Sequence, residues 1–215
     1  MFCFRGFDLA DQDHWNRVYA ARQEEALTWF EPTAEMSVEL CRRYAAKDAA
    51  VIDIGGGASR LVDGLLARDQ ARITVLDLSP DALAASRARL GSKADRVEWI
   101  AQDITKWHPD DQWSLWHDRA VFHFLITAEE RGAYFEAMKA GLTVGGHAII
   151  ATFAPDGPET CSQLPVQRWS AQGLQAEAEA HVPGMLELVE TFRHVHVTPK
   201  GNQQPFTVCV FRRRG

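Results

Sequence analysis

The sequence predicts an α/β fold built on an open, mainly parallel sheet, and three observations carry that prediction. Short apolar runs at 50–54, 73–78, 97–101, 113–116 and 147–153 alternate with helical patterns, the mark of strand–helix crossover units. The first run, Val51-Ile52-Asp53-Ile54, reaches three consecutive glycines, Gly55-Gly56-Gly57, and then resumes with helix-forming residues. The last third changes character. There 187–197 and 205–212 read as two strands about the turn Pro199-Lys200-Gly201-Asn202, a β-hairpin that adds an antiparallel edge.

Taken in order, 11–25 reads as a helix with Asp11 or Asp13 as cap and Trp15, Val18 and Tyr19 at helical spacing. Pro32 closes the aromatic segment Thr28-Trp29-Phe30-Glu31, and Thr33 is placed to cap a helix over 34–47 whose apolar stripe runs through Met36, Leu40 and Tyr44. The strand 50–54 is apolar apart from Asp53, and a helix over 59–68 follows its glycine turn. Strand 73–78 leads to Ser79-Pro80, a serine N-cap with proline in the first helical position, and a helix to about Leu90. Strand 97–101 is third, and strand 113–116 is fourth, ending at His117-Asp118. Thr127 and Glu130 form a capping box for a helix to about Gly141. Gly145-Gly146 turns the chain into the fifth strand, and Ser170 caps a short helix before the hairpin.

No repeat or linker divides the chain, so 1–215 is expected to be a single domain, with 1–48 as a helical cap or lid within it. Lys+Arg 23 against Asp+Glu 29 gives 23 − 29 = −6, a balance that argues against nucleic acid as the partner. Arg212-Arg213-Arg214 is read as a solvated tail. The cysteines, Cys3, Cys41, Cys161 and Cys209, are scattered without metal-ligand spacing, which predicts free thiols in a reducing compartment and no structural zinc. No apolar run suits a signal peptide or a membrane span, so a cytoplasmic protein without a membrane partner is expected.

In an open parallel sheet, ligands bind outside the carboxyl ends of the strands. Here four successive ends carry carboxylates: Asp53, Asp77, Asp103 and Asp118. Asp77 lies where an acid can accept two ribose hydroxyls. A dinucleotide fingerprint wants a small residue where Arg60 stands, and Asp53, two residues before the first glycine, would repel a pyrophosphate but suit an ammonium group. A ribose, an adenine and a zwitterionic amino acid satisfy both conditions, and S-adenosylmethionine has all three.

The segments VIDIGGGAS, VLDLSPDAL and AQDIT, with the hairpin-ended sheet, resemble class I S-adenosylmethionine-dependent methyltransferases. The resemblance implies a Rossmann-like seven-stranded sheet in the order 3-2-1-4-5-7-6, strand 7 antiparallel, with helices on both faces. It implies that Gly55 and Gly57 line the methionyl part, that Asp77 binds the ribose, and that Asp103 and Ile104 flank the adenine, with Leu78 as a further cofactor contact. HWNRVYAARQEEALTWF, WHDRAVFHFL, TFAPDGPETCSQLPV and HVHVTPKGNQQPF are similar to a narrower group of small bacterial methyltransferases. Trp116-x-Asp118-Arg119-Ala120 also resembles thiopurine S-methyltransferases, which implies an arginine near both cofactor and substrate.

Methyl transfer from a sulfonium needs alignment, and a base only where the nucleophile is protonated. Asp118, Arg119 and His123 are the candidate catalytic residues, with His117 beside them; Asp118 is also a candidate cofactor contact. Trp15, Tyr19 and Trp29, with Phe30, are read as an aromatic lid that attracts the sulfonium. Cys161 is expected to face the same crevice, whereas His194-x-His196 lacks a third ligand, so no metal site is expected. The leading expectation is an enzyme that methylates a small molecule, a thiol or other soft nucleophile, as a monomer or homodimer. The alternatives are a protein lysine methyltransferase and a non-catalytic S-adenosylmethionine-binding module; a nicotinamide dehydrogenase fits least.

Overall fold

A computed structural model describes residues 12–21 and 24–215. Cys3 and Asp11 lie outside the described residues. The order of elements is α1 (Gln12–Ala21), α2 (Glu35–Tyr44), β1 (Ala50–Ile54), α3 (Leu61–Ala67), β2 (Arg72–Asp77), α4 (Pro80–Leu90), β3 (Val97–Ala101) and β4 (Trp113–Arg119). Then come α5 (Ala128–Gly141), β5 (Leu142–Phe153), the two-residue strands β6 (Thr160–Cys161) and β7 (Leu164–Pro165), α6 (Ala171–His181), β8 (Leu186–Val197) and β9 (Gln203–Arg213).

The main sheet runs β3-β2-β1-β4-β5-β9-β8. The first five strands pair in parallel, while β9 is antiparallel to both β5 and β8. Leaving aside the small β6–β7 hairpin, this is the expected order 3-2-1-4-5-7-6 with its antiparallel seventh strand.

Alternation along the strands sends side chains into two cores. Ile52, Ile54, Trp116, Ala148 and Ile150 meet Tyr134, Phe135 and Met138 of α5 and Leu174 and Ala178 of α6. Val51, Leu115, Ile149 and Ala151 meet Leu40 of α2, the apolar face of α3 and Leu83 of α4. Burial on both faces explains why these strands read as continuous apolar runs rather than alternating ones.

Three helix starts follow the sequence rules. The Ser79 hydroxyl accepts from Ala82 N at 3.2 Å with Pro80 next in line, both arms of the Thr127–Glu130 capping box are formed, and Ser170 accepts from Gly173 N at 3.0 Å. The start of α2 does not. Its N-cap is Ala34 rather than Thr33, in the left-handed region at φ 46° with no side-chain cap. That conformation is unfavourable for alanine, but Ala34 is buried and packs into the apolar cluster that α2 and α3 form with the sheet. The fifth strand also begins earlier than expected, at Leu142. Trp113 pairs with Leu142 and Leu115 with His147, so 143–146 loop out around the Gly145-Gly146 turn.

Between β4 and α5, Phe122 sits in a short 3₁₀ turn, wholly buried against Tyr134, Phe135 and Trp169 at ring-centroid distances of 5.0, 5.3 and 5.6 Å. Phe122→Ala is expected to destabilise the chain by about 3–5 kcal/mol, the range for emptying a close-packed aromatic site, as read from urea denaturation.

Candidate active site

The strand ends converge on a cavity of about 120 Å³, lined at its base by Ile54, Gly55, Leu76 and Asp77 and at its rim by Leu78, Asp103 and Ile104. A smaller compartment of about 50 Å³ adjoins it, sharing Tyr19, Trp29, Gly55 and Arg119, and lined further by Ser37, Asp53, Ser59, Arg60 and His117.

Each glycine of the turn meets a different neighbour. Gly55 has φ +66°, donates to Leu76 O at 2.7 Å, and would drive a Cβ to 2.0 Å from a Val121 methyl. A Cβ on Gly56 would stand 2.6 Å from Asp53 Oδ2, and one on Gly57 would stand 2.6 Å from Asp77 Oδ2 and 2.9 Å from the Tyr19 hydroxyl. The turn is therefore bare because two carboxylates and a phenol are packed against it. Gly57 itself lines neither compartment; its carbonyl accepts from Ser86 Oγ at 2.7 Å.

Asp77 is buried, and its Oδ1 accepts from Ser79 N at 2.8 Å. Burial, with the Asp53 carboxylate adding to it, pushes its pKa up to about 7 despite the backbone hydrogen bonds that oppose the shift. Asp103 behaves oppositely. Burial raises it, but hydrogen bonds from Thr105 and the Lys106 ammonium at 3.1 Å outweigh burial and hold it below the usual carboxylate range.

The roof is aromatic. Trp15 stands edge-on to Trp29 at 5.9 Å and to Phe124 at 5.2 Å, and Tyr19 meets Trp29 at 6.2 Å. Burial first, then Asp77, raises the Tyr19 hydroxyl well above its ordinary value. Two polar clasps hold this N-terminal segment down. The Ser79 hydroxyl that caps α4 also donates to Asn16 Oδ1 at 2.6 Å. Glu24 takes Arg60 at 2.9 Å and Arg89 at 3.0 Å, and Arg60 lies 5.6 Å over the Phe30 ring. Arg60 thus stands where a dinucleotide fold needs a small residue because it anchors the roof.

Arg119 reaches both compartments. Its Nη1 donates to Trp29 O at 3.1 Å, its Nη2 to Glu31 at 2.8 Å, and its guanidinium lies 5.3 Å over the Phe206 ring. Glu31 is also 3.2 Å from His196 Nδ1, and burial, which raises its pKa, is outweighed by His196 and Arg119, so it stays below its ordinary value. Cys161 lines the main cavity, and burial pushes its thiol up to about 12 even with Arg119 pulling the other way.

Of the residues expected at the site, the main cavity gathers Trp15, Tyr19, Trp29, Gly55, Asp77, Leu78, Asp103, Ile104, Arg119 and Cys161, and the smaller compartment takes Asp53. Asp118 and His123 line neither. Asp118 is fully buried behind the wall, where it accepts from Val121 N at 3.0 Å and Phe122 N at 3.1 Å and so caps the 3₁₀ turn. Burial holds its pKa up at about 6. His123 is wedged between Phe124 and Phe153 at 4.6 and 4.5 Å, with Phe153 N donating to its Nδ1 at 3.4 Å. Burial, helped by Arg119, lowers it to about 3, far too weak for a base near neutrality. Phe124, Val121, Gln102 and Glu130 join the cavity without having been expected there. Phe124 carried a usable signal, since WHDRAVFHFL leads straight from the fourth strand's end to it.

Residues 51–146 match the methyltransferase domain family. No curated protein matches the sequence. Among solved structures, a 1,6-didemethyltoxoflavin-N1-methyltransferase from Burkholderia thailandensis, with 1,6-didemethyltoxoflavin and S-adenosylhomocysteine bound, is 20% identical and aligns over 96% of this chain and 88% of its own at a TM-score of 0.73. The N-methyltransferase NodS from Bradyrhizobium japonicum, in complex with S-adenosylhomocysteine, is 16% identical over 97% of this chain and 100% of its own, at 0.69. A structure described under the conversion of a disulfide bond into a thioacetal group during echinomycin biosynthesis is 18% identical over 94% and 93%, at 0.73. These likenesses show a shared fold.

His123 generates a prediction about stability. Its folded pKa lies below the ordinary value of 6.5, so its contribution is complete above about pH 6.5 and is lost as pH falls toward 3. The loss approaches about 1.4 kcal/mol per pH unit. Between pH 7 and pH 5, His123→Leu should therefore lose about 2 kcal/mol less stability than the parent chain. Urea denaturation at both pH values checks this, and equal losses would contradict it.

Proposed function

We propose that this chain, whose residues 51–146 match the methyltransferase domain family, uses S-adenosylmethionine to methylate a small molecule, with a thiol or other soft nucleophile as acceptor. The observation that carries this reading is the division of the cavity. An apolar compartment with Asp77 at its base and Asp103 at its rim suits a nucleoside, and the adjoining polar one with Asp53 and Arg60 suits a zwitterionic amino acid.

In this reading the carboxylate of Asp77 accepts the ribose hydroxyls, and Leu78 and Ile104 flank the adenine. Gly55 gives the ligand close passage between the compartments. S-adenosylmethionine supplies an electrophilic methyl group on a sulfonium. Trp15, Tyr19, Trp29 and Phe124 surround that position, exclude water and favour positive charge over their rings. The residues lining the route contribute alignment.

The preference for a soft acceptor follows from the state of the carboxylates. Among the described cavity residues, Asp77 and Asp53 are taken up by the cofactor in this reading, Glu130 is held by its capping box, Asp103 by Thr105 and Lys106, and Glu31 by Arg119 and His196. The Cys161 thiol, at about 12, stays protonated. An acceptor that ionises readily by itself suits such a site, whereas an alcohol needs a strong, free base.

Three outcomes are expected. Asp77→Ala weakens S-adenosylhomocysteine binding by about 1–3 kcal/mol, as for loss of a charged hydrogen-bond partner; calorimetry checks this, and an unchanged Kd refutes the placement. In the parent chain, affinity rises as pH rises toward about 7 and then levels, because below that pH Asp77 must release a proton to accept the ribose hydroxyls. Asp77→Asn flattens that profile. In a methyl-transfer panel of thiols, amines, phenols and metalloids, thiols react fastest; turnover confined to alcohols, or label from the cofactor appearing in protein bands of a cell extract, overturns the acceptor class.

A further inference from the structure

Behind the smaller compartment, three buried side chains form a hydrogen-bonded chain. Ser37 Oγ lies 2.9 Å from His117 Nε2, and His117 Nδ1 lies 2.7 Å from Asp53 Oδ1. Their exposures are 1, 2 and 3%. The arrangement follows from the sheet: Asp53 and His117 are register partners on the neighbouring strands β1 and β4, so their side chains leave the same face, and α2 lays Ser37 over them.

Serine, histidine and aspartate in this order resemble a nucleophilic triad, but the surroundings do not support acyl transfer. Ser37 is enclosed within α2, and the nearby Gly55 and Gly56 N–H groups both donate to Leu76 O, at 2.7 and 3.2 Å, leaving neither for an oxyanion. The open end of the chain is at the other terminus. Asp53 Oδ2 is buried and, among the described residues, has no hydrogen-bond partner. It borders the compartment, and Gly56 keeps it uncovered, since a Cβ there would stand 2.6 Å from it. A buried carboxylate oxygen without a partner is costly, and a cationic donor supplied by a ligand removes that cost.

We propose that His117, steadied by Ser37, is a positioning residue that fixes Asp53 so that Oδ2 faces the ammonium group of the bound cofactor. The assignment rests on S-adenosylmethionine being the cofactor. A carboxylate only accepts, so His117 Nδ1–H donates to Asp53 and the bare Nε2 accepts the Ser37 hydroxyl; one neutral tautomer satisfies both bonds. With Oδ1 occupied by histidine, the second oxygen is left for the ligand. Because Ser37 belongs to α2, the same chain ties the ammonium site to the segment that carries Trp29 and Glu31 over the cavity.

The test compares two ligands that differ in the amino-acid part. S-adenosylhomocysteine carries the ammonium group; 5′-methylthioadenosine keeps the nucleoside and sulfur but lacks it. Both are titrated calorimetrically into the full chain and into His117→Leu, His117→Asn and Ser37→Ala. His117→Leu is expected to weaken S-adenosylhomocysteine by about tenfold or more and to leave 5′-methylthioadenosine within about twofold. His117→Asn, which keeps a donor toward Asp53, recovers part of the loss, and Ser37→Ala shows a smaller loss of the same selectivity. A merely structural role weakens both ligands alike, and that result, or unchanged S-adenosylhomocysteine binding, overturns the proposal. If His117→Leu does not fold, the selectivity of Ser37→Ala decides in the same way. A parent chain that binds neither ligand overturns the cofactor reading and the relay with it; one that binds both, with no selective loss in the variants, overturns the relay alone.

Discussion

Carboxylates buried at the ends of neighbouring parallel strands are the constraint on which the rest of this structure depends. Removing a carboxylate from water is costly unless hydrogen bonds replace hydration. Asp53, Asp77 and Asp118 are each buried, and each takes its replacement from the turn or strand beside it. Asp77 draws in the backbone of Ser79, Asp118 that of Val121 and Phe122, and Asp53 the ring of His117. The loops at this end of the sheet are shaped by that demand. The glycine turn is its complement, since Gly56 and Gly57 leave room for the Asp53 and Asp77 oxygens.

The N-terminal segment completes the enclosure through charge as well as apolar contact. Glu24 bridges Arg60 and Arg89, Glu31 meets Arg119 and His196, and Asn16 receives the Ser79 hydroxyl. With these clasps made, Trp15, Tyr19 and Trp29 stand over the strand ends and divide an apolar compartment from a polar one. The same residues therefore serve packing and site geometry together. Arg60 shows this most directly, because its place in the sequence looks like a missing small residue and its place in the fold is a tether.

Local rules made a large part of this legible. Ser79-Pro80 and Thr127 with Glu130 are helix starts whose chemistry is complete within four residues, and both stand as expected. The apolar strands and the closing hairpin set the sheet, and Asp77 with Asp103 could be placed at its rim from spacing. Thr33 and Asp118 mark where that reasoning stopped. Ala34 starts α2 in a left-handed conformation because packing against the sheet overrides capping preference, and Asp118 turns inward because the chain bends back three and four residues later to bond it through Val121 N and Phe122 N. His123 sits in WHDRAVFHFL like a residue near a site, yet the short 3₁₀ turn rotates it into the core between two phenylalanines and leaves Phe124 facing the cavity.

By itself, the sequence determined the strand–helix alternation, the bare turn after β1 and the acids at successive strand ends, because each depends on residues close in the chain. Only the tertiary structure decided which acids face a ligand and which support a turn, and it alone joined Ser37, Asp53 and His117 across α2, β1 and β4. The physical reason is direction. Spacing states which strand end a residue occupies, whereas the way its side chain points depends on register with neighbouring strands, on the twist of the following turn, and on what is packed above it.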